Sequence, residues 1–312
     1  MSRSRHTALF ALITVAALTL TACAEPAGPA GGGSDRASSR GKTPTTDVVS
    51  KVRKDEAAAK LLPAGVREAG TLRIASSVGA PPGAFYEDDG STVAGADIDF
   101  ADAAARVLGL ELKREVASFE AILPALGSGK YDLGTGNFGV TDVRRRTIDF
   151  VTYINDGQGF AVREDSGLKK VTDLTQLCGL NVATGAGTTF EVTLQENLPR
   201  CAEAGKKPYN VKTYADQAAV WISLQQNRSD VVMSTINGLR YAVSQQEGLR
   251  FLNEFKRLDV GFAFKKGTPL APAFQAAVNR LKEDGTYDRI LKKWGTSESA
   301  IETSEISPPE LK

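Results

Sequence analysis

Along the chain, short apolar runs bounded by glycine and polar residues alternate with segments whose apolar positions recur every three or four residues. That pattern predicts alternating strands and helices. The stretch from Asp47 to Leu62 is charged and helix-prone, and Pro63 predicts its end. A strand is expected over Thr71–Ser76, followed by a Pro/Gly loop, Gly79–Ala84. Asp97 is placed to N-cap a helix with the buried stripe Ile98, Ala101, Ala105 and Leu108 and with Gly109 as its stop. Next come a strand Leu112–Ala117 and a helix from Ser118 with Phe119, Ile122, Leu123 and Leu126 on one face. Strand Tyr131–Thr135, a loop, and strand Thr147–Val151 complete a first α/β half.

A second half repeats the style. Its predicted strands are Phe160–Arg163, Leu180–Thr184, Asn210–Tyr214 and Asp230–Ser234, with helices at Phe190–Asn197 and Ala215–Gln226. Strand Gly261–Lys265 precedes two helices, Leu270–Glu283 and Thr286–Lys293. Two βα blocks imply two parallel-type sheets with ligand crevices at the carboxyl ends of their strands.

Upstream, the pattern changes. Arg3, Arg5 and His6 precede a short apolar run, Thr7–Leu18, too short to span a bilayer. It ends in Leu20-Thr21-Ala22-Cys23, which resembles the bacterial lipobox. Residues 1–22 therefore read as an export signal and Cys23 as the lipidated residue. Residues 23–47 are rich in Gly, Pro, Ser and Thr and read as a flexible linker with a reach of roughly 25–30 Å. The expected location is the outer face of a bacterial cell membrane, through the lipid anchor.

Composition narrows the chemistry. The 312 residues carry 38 basic and 37 acidic side chains, so no basic excess points to nucleic acid. His6 is the only histidine and lies in the expected signal. Without it, a Ser-His-Asp triad, a Cys-His pair and a His-ligated zinc site are excluded. No metal or other cofactor is expected. Of three cysteines, Cys178 and Cys201 remain for the body, and in an exported protein such a pair is expected to be bridged.

Several segments in order carry a family resemblance. They are Gly70-Thr71-Leu72-Arg73-Ile74-Ala75, Gly95-Ala96-Asp97-Ile98-Asp99-Phe100-Ala101, and Phe119-Glu120-Ala121-Ile122-Leu123-Pro124-Ala125-Leu126. Gly129-Lys130-Tyr131-Asp132, Thr141-Asp142-Val143-Arg144, Ile148-Asp149-Phe150, Asp284-Gly285-Thr286-Tyr287 and Lys293-Trp294-Gly295 follow. Over roughly residues 61–295 the chain resembles the family-3, polar amino acid, solute-binding proteins of ABC importers. The resemblance implies an α/β, two-lobed periplasmic-binding-protein-like (type II) fold with a two-strand hinge. The crossovers are expected near Asp156–Gln158 and Arg257–Gly261, which gives lobe 1 as 48–156 plus 260–312 and lobe 2 as 157–259. It further implies a monomer that captures a small carboxylate-bearing ligand, an amino acid or related zwitterion, and hands it to permease and ATPase subunits.

A ligand carboxylate calls for a two-pronged, permanently charged donor. Arg144 stands where the family motif places that arginine, after the loop Asn137-Phe138-Gly139-Val140-Thr141, while Arg145 and Arg146 are expected to be solvated. Gly139 matches a backbone N–H that holds the carboxylate in the family. Gly185-Ala186-Gly187-Thr188-Thr189 lies between a strand and a helix start, where N–H groups face an anion. Thr189 matches the family's carboxylate contact, with Thr188 beside it. Phe119 and Phe85 are candidates to stack on the ligand, each also suited to core packing. Trp221 and Trp294 read as core.

Two departures matter. The family often has an Asp for the ligand ammonium where this chain has Thr235, and often an aromatic where it has Pro82. Either a different carboxylate reaches the ammonium or the ligand has no free primary α-ammonium; the loss of the acid favours a ligand other than a standard α-amino acid. Gly134-Thr135-Gly136-Asn137-Phe138-Gly139 fits a dinucleotide fingerprint, but the seven residues before the next strand leave no room for the required helix. Two alternatives to transport are a cyclohexadienyl-dehydratase-like enzyme and the ligand arm of a surface sensor. The enzyme would need a cleft carboxyl group such as Glu120 or Glu191. The sensor would need a separate signalling partner beyond Lys312.

Overall fold

The computed structural model describes residues 43–79 and 81–312. The predicted signal, Cys23 and the linker as far as residue 42 lie outside the described residues. In chain order the elements are α1 (Glu56–Lys60), α2 (Ala64–Ala69), β1 (Thr71–Ser76), β2 (Phe85–Tyr86), β3 (Val93–Ala94), α3 (Ala96–Leu108), β4 (Glu111–Val116), α4 (Phe119–Gly127) and β5 (Leu133–Thr135). Then follow β6 (Ile148–Arg163), β7 (Asn181–Gly185), α5 (Thr189–Asn197), α6 (Pro199–Glu203), β8 (Asn210–Tyr214), α7 (Gln217–Gln225), β9 (Val231–Thr235), α8 (Ile236–Gln245), β10 (Leu249–Lys265), α9 (Ala271–Glu283) and α10 (Thr286–Lys293). No helix among the described residues is long and apolar enough to cross a membrane.

The main sheet corrects one expectation. Eight strands run in the order β4-β1-β5-β10-β6-β9-β7-β8, a single hydrogen-bonded sheet where two were expected. The reason lies in β6 and β10. The predicted strands Thr147–Val151 and Phe160–Arg163 are two ends of β6, and the predicted Gly261–Lys265 is only the end of the 17-residue β10. These strands pair antiparallel from Leu249↔Arg163 to Lys265↔Ile148. On one side β1 pairs in parallel with β4 and β5, and on the other β7 pairs in parallel with β8 and β9.

Separate cores form at the two ends of this ribbon. One gathers Phe100, Tyr153, Phe262, Phe274 and Tyr287, with a second cluster around Ile122, Phe138 and Phe150 on the other face of the sheet. The other end buries Phe160, Val182, Leu194, Cys201 and Met233 on one face and Trp221, Leu224, Val232 and Leu239 on the other. Along β6 the side chains leave the first core at Ile154 and enter the second at Phe160. Two lobes follow from that change of neighbours. At the change, Gly157 has φ +147°, and a Cβ there would stand 2.2 Å from the carbonyl oxygen of Lys256. Only glycine fits such a close approach of two backbones.

Local rules explain the smaller differences. Asp47 accepts from the N–H groups of Val49 and Ser50 and makes a turn, so the predicted long helix shrinks to α1, capped by Asp55. Gly95, and not Asp97, caps α3, and Asp97 turns inward. The helix α8 was not predicted, although Ile236, Leu239 and Ala242 give it a buried stripe. The first half of β10 hides among charged residues, and its register shifts at Phe251/Asn253 and Glu254/Lys256 break the alternation. The C-terminal segment contacts both lobes: Glu310 accepts from Asp142 N–H at 3.1 Å on one side, and on the other Glu310 pairs with Lys256 at 2.6 Å, Glu298 pairs with Arg240, and Ser299 accepts from Asn237 Nδ2 at 2.8 Å.

Cys178 and Cys201 are bridged, with Cα atoms 5.7 Å apart, tying the segment before β7 to α6. Closing this loop contributes about 3 kcal/mol in the chain-entropy view. Cys201→Ser is therefore expected to lower unfolding stability by about 2–4 kcal/mol while leaving the cleft's affinity unchanged. Denaturant melts, together with alkylation of native protein without reductant, check this; two alkylated thiols in native protein would contradict the bridge.

Candidate functional site

The carboxyl ends of β1, β4 and β5 from lobe 1 and of β7, β8 and β9 from lobe 2 converge on one cavity of about 670 Å³. Convergence of parallel strand ends is where open α/β sheets place ligands. The lobes touch across it. Arg144 Nη2 from lobe 1 lies 3.4 Å from the carbonyl of Gly187 in lobe 2, and a Cβ on Gly187 would meet Glu120 Cβ at 2.9 Å.

Arg144 opens a short 3₁₀ turn, and its guanidinium lines the cavity. Its other anchor is the Gly139 carbonyl, at 3.1 Å from Nη1. The rings of Phe119 and Phe138 lie 5.7 and 6.0 Å from the guanidinium carbon and stack on each other at 4.8 Å. Two carbonyls and two rings orient the fork without neutralising it. Among the described residues Arg144 has no carboxylate partner, and burial pulls its pKa down to about 10. A desolvated cation of this kind favours an incoming anion.

Lobe 2 supplies the facing wall. Thr188 caps α5, its hydroxyl accepting from Glu191 N–H and donating to the Gly185 carbonyl. Thr188 and Thr189 both line the cavity. Glu191 folds back onto the N–H of Gly187 at 2.7 Å, so it closes the turn as a capping group. Glu120 is exposed, and neither glutamate lines the cavity.

Three acids that sequence reasoning did not assign to the ligand line it. Asp216 is exposed and caps α7 by accepting from Ala218 N–H, whereas the other two are buried. Asp97 is 2% exposed and accepts from Tyr153 Oη at 2.8 Å and from Asn137 N–H at 2.9 Å. Asp156 is fully buried and accepts from Asn137 Nδ2 at 3.1 Å and from Asn237 N–H at 3.2 Å. Neither forms an ion pair with a lysine or arginine among the described residues. Burial raises the pKa of both, against the pull of these hydrogen bonds, and carries Asp156 to about 6. Asn137 links them from a left-handed backbone conformation, φ 53°, which asparagine tolerates better than most residues. The only signals in the sequence were the family segment holding Asp97 and the expected crossover at Asp156.

Of the predicted residues, Arg144, Asn137, Thr188, Thr189, Phe119 and Thr235 line this one cavity. Thr235 ends β9, and its hydroxyl accepts from Gly238 N–H at 3.1 Å as the cap of α8. Two lie elsewhere. Gly139 stands one layer behind, paired with Val260 and holding Arg144 by its carbonyl. Phe85 packs edge-on against Trp294 at 5.7 Å, because pairing of β2 with β3 turns its ring to the core. Arg145 turns away to Asp142 and the Ser307 carbonyl, and Arg146 is exposed. Trp294 is core; Trp221 is core and also borders the cavity.

A two-lobed fold whose strand ends meet at a cavity between the lobes is the architecture of a solute-binding protein. Residues 72–297 match the profile of the bacterial extracellular solute-binding proteins, family 3, and the chain belongs to that family. It is 28% identical over 256 residues to the arginine-binding protein ArgT of Corynebacterium glutamicum, covering 80% of this chain and 83% of that one. An ancestral arginine-binding protein bound to arginine superposes with a TM-score of 0.65 at 30% identity, over 72% of this chain and 98% of that one. An ancestral amino acid-binding protein that is a precursor of cyclohexadienyl dehydratase gives a TM-score of 0.65 at 27% identity, over 74% and 97% of the two chains. That neighbour is itself a binding protein, and family membership puts this chain among binding proteins and not among enzymes.

The buried acid makes a prediction for the empty protein. With Asp156 raised to about 6 in the folded state, its ionisation costs on the order of 3 kcal/mol above that pH. The cost vanishes below the unfolded value of ~4, where the group is protonated in both states. Asp156→Asn is thus expected to raise the ligand-free Tm at about pH 7.5, with the gain shrinking between about pH 6 and pH 4. Thermal unfolding across that range checks it; a gain independent of pH would assign the effect to packing.

Proposed function

We propose that this protein captures a small zwitterion of the amino-acid type between its lobes and delivers it to the permease and ATPase of an ABC importer. The observation that carries the reading is the Arg144 guanidinium, desolvated and, among the described residues, without a carboxylate partner, at the edge of the cavity between the lobes. An α-carboxylate supplies the missing charge in bidentate geometry. The turn before α5 adds backbone N–H groups near Thr188 and Thr189, and Phe119 covers the ligand beside Arg144. Asn137 and Thr235 complete the polar lining. The arginine-binding relative supports an amino-acid-type ligand.

In this reading lobe 1 is 48–156 plus 260–312 and lobe 2 is 157–259, and the lobes close by bending where β6 and β10 cross. Both lobes contribute binding groups, so ligand stabilises the closed form. The chain works as a monomer, tethered through lipid on Cys23 at the outer face of the cell membrane.

Arg144→Ala is expected to weaken ligand binding by about 2–5 kcal/mol, the cost of removing one partner of a desolvated pair. Arg145→Ala, engaged with Asp142 and Ser307, should change it by about 0–1 kcal/mol. Calorimetry with a panel of L-amino acids, arginine included, makes the comparison; loss with Arg145→Ala alone would overturn the assignment.

Cys23→Ala should move the protein from the membrane to the soluble fraction, since the lipid supplies the membrane affinity. Unchanged fractionation would refute the anchor.

A further inference from the structure

We propose that the ammonium group of the bound zwitterion pairs with Asp156, on the strand that crosses between the lobes, in place of a residue at the end of β9. The inference rests on the amino-acid-type reading of the ligand and deepens it. Thr235, which ends β9, is neutral, and its hydroxyl is already used by Gly238 N–H as the cap of α8. The register of β6 on β9 pairs Gln158 with Thr235. Asp156 therefore lies just past the end of β9, level with the first turn of α8. The contact of its Oδ1 with Asn237 N–H fixes it there. Its carboxylate thus reaches, from a different strand, the place that an acid at position 235 would serve.

Charge supports the same assignment. The cavity holds one desolvated guanidinium without a carboxylate and buried carboxylates without a cation. The two charges are linked by one short loop: Asn137 touches Asp156 through its side chain, and Gly139, two residues on, holds Arg144 through its carbonyl. Both charges therefore border the stretch of cavity wall formed by this loop.

Asp97 has a different task. Its two oxygens accept from Tyr153 and from Asn137 N–H, which holds Asn137 so that its amide meets Asp156. Asp97 is a positioning residue. Asp156 accepts from Asn137 and Asn237, with the Gly157 N–H also facing its carboxyl group, on an acid with about four acceptor sites, so capacity remains for an ammonium.

The test compares wild type and Asp156→Asn by calorimetry against L-amino acids and, for the tightest binder, its analogue with hydrogen in place of the ammonium. Asp156→Asn is nearly isosteric, and its thermal unfolding is measured alongside. The variant should lose about 30-fold or more for the amino acid and stay within about threefold for the des-amino analogue. Wild-type affinity for the amino acid should fall as pH drops below about 6, by up to about tenfold per unit, with proton release on binding; Asp156→Asn should show neither. The other titratable or charged groups facing Asp156 are Asp97, Tyr153 and Arg257, and all remain in the variant. Equal loss for both ligands, or amino-acid affinity retained within about threefold, overturns the assignment. If wild type binds only des-amino carboxylates, and does so through Arg144, the ammonium inference falls and carboxylate capture stands. If nothing in the panel binds, both fall.

Discussion

The continuous pairing of β6 with β10 is the constraint on which the rest of the molecule depends. Sixteen and seventeen residues run through both lobes in one antiparallel ladder, so neither lobe can be placed without the other. At each end the ribbon is buried between helices. In the middle, from Ile154 to Phe160, the side chains change cores and backbone hydrogen bonds are the main connection. A two-stranded ribbon is compliant to bending and stiff to stretching. Gly157, the register shifts along β10 and, among the described residues, the lack of a core shared by the two ends leave this waist the least buttressed part of the ribbon. The C-terminal segment, ion-paired to Arg240 and Lys256, makes a further contact across it.

The same waist sets the electrostatics of the cavity. Asp156 sits on β6 where the strand passes between lobes, so its carboxyl group receives a hydrogen bond from each: Asn137 on one side and Asn237 on the other. Arg144 likewise reaches a carbonyl in each lobe, Gly139 and Gly187. Opposite charges kept apart in a desolvated space cost stability in the empty protein. They become favourable when a ligand carries both complementary charges. A stability deficit at a site is what a binding function demands, since a cavity satisfied by its own residues would have little affinity left for a guest.

Elements whose cues were local could be read from the sequence. The strand Asn210–Tyr214 and the helix Thr286–Lys293 were predicted at their observed limits, because turn residues bound them sharply. The Gly109 stop of α3 was legible for the same reason, and the disulfide because only two cysteines remain for the body of the chain. Arg144, Asn137, Thr188, Thr189, Phe119 and Thr235 line one cavity because they lie at or after strand ends, and strand ends converge. For Phe85 the sequence left stacking on the ligand and core packing both open, and a two-residue hairpin, invisible in composition, decides which way its ring turns.

The sequence by itself determined the α/β class, the two lobes, the bridged cysteines and the guanidinium that confronts the cavity. The class follows from alternating local patterns, the bridge from the two cysteines left to the body, and the lobes and the guanidinium from segments that resemble the family. Tertiary structure alone decided that two predicted strands are one, that Glu191 closes a turn, and that Asp97 and Asp156 face the same space. Those outcomes depend on pairings between residues far apart: Asp97 meets Asn137 forty positions away, and Asp156 meets Asn237 across eighty-one. Burial is likewise a property of the assembled lobes. An aspartate in a polar stretch of sequence gives no sign that folding will strip away its water and leave it without a cation.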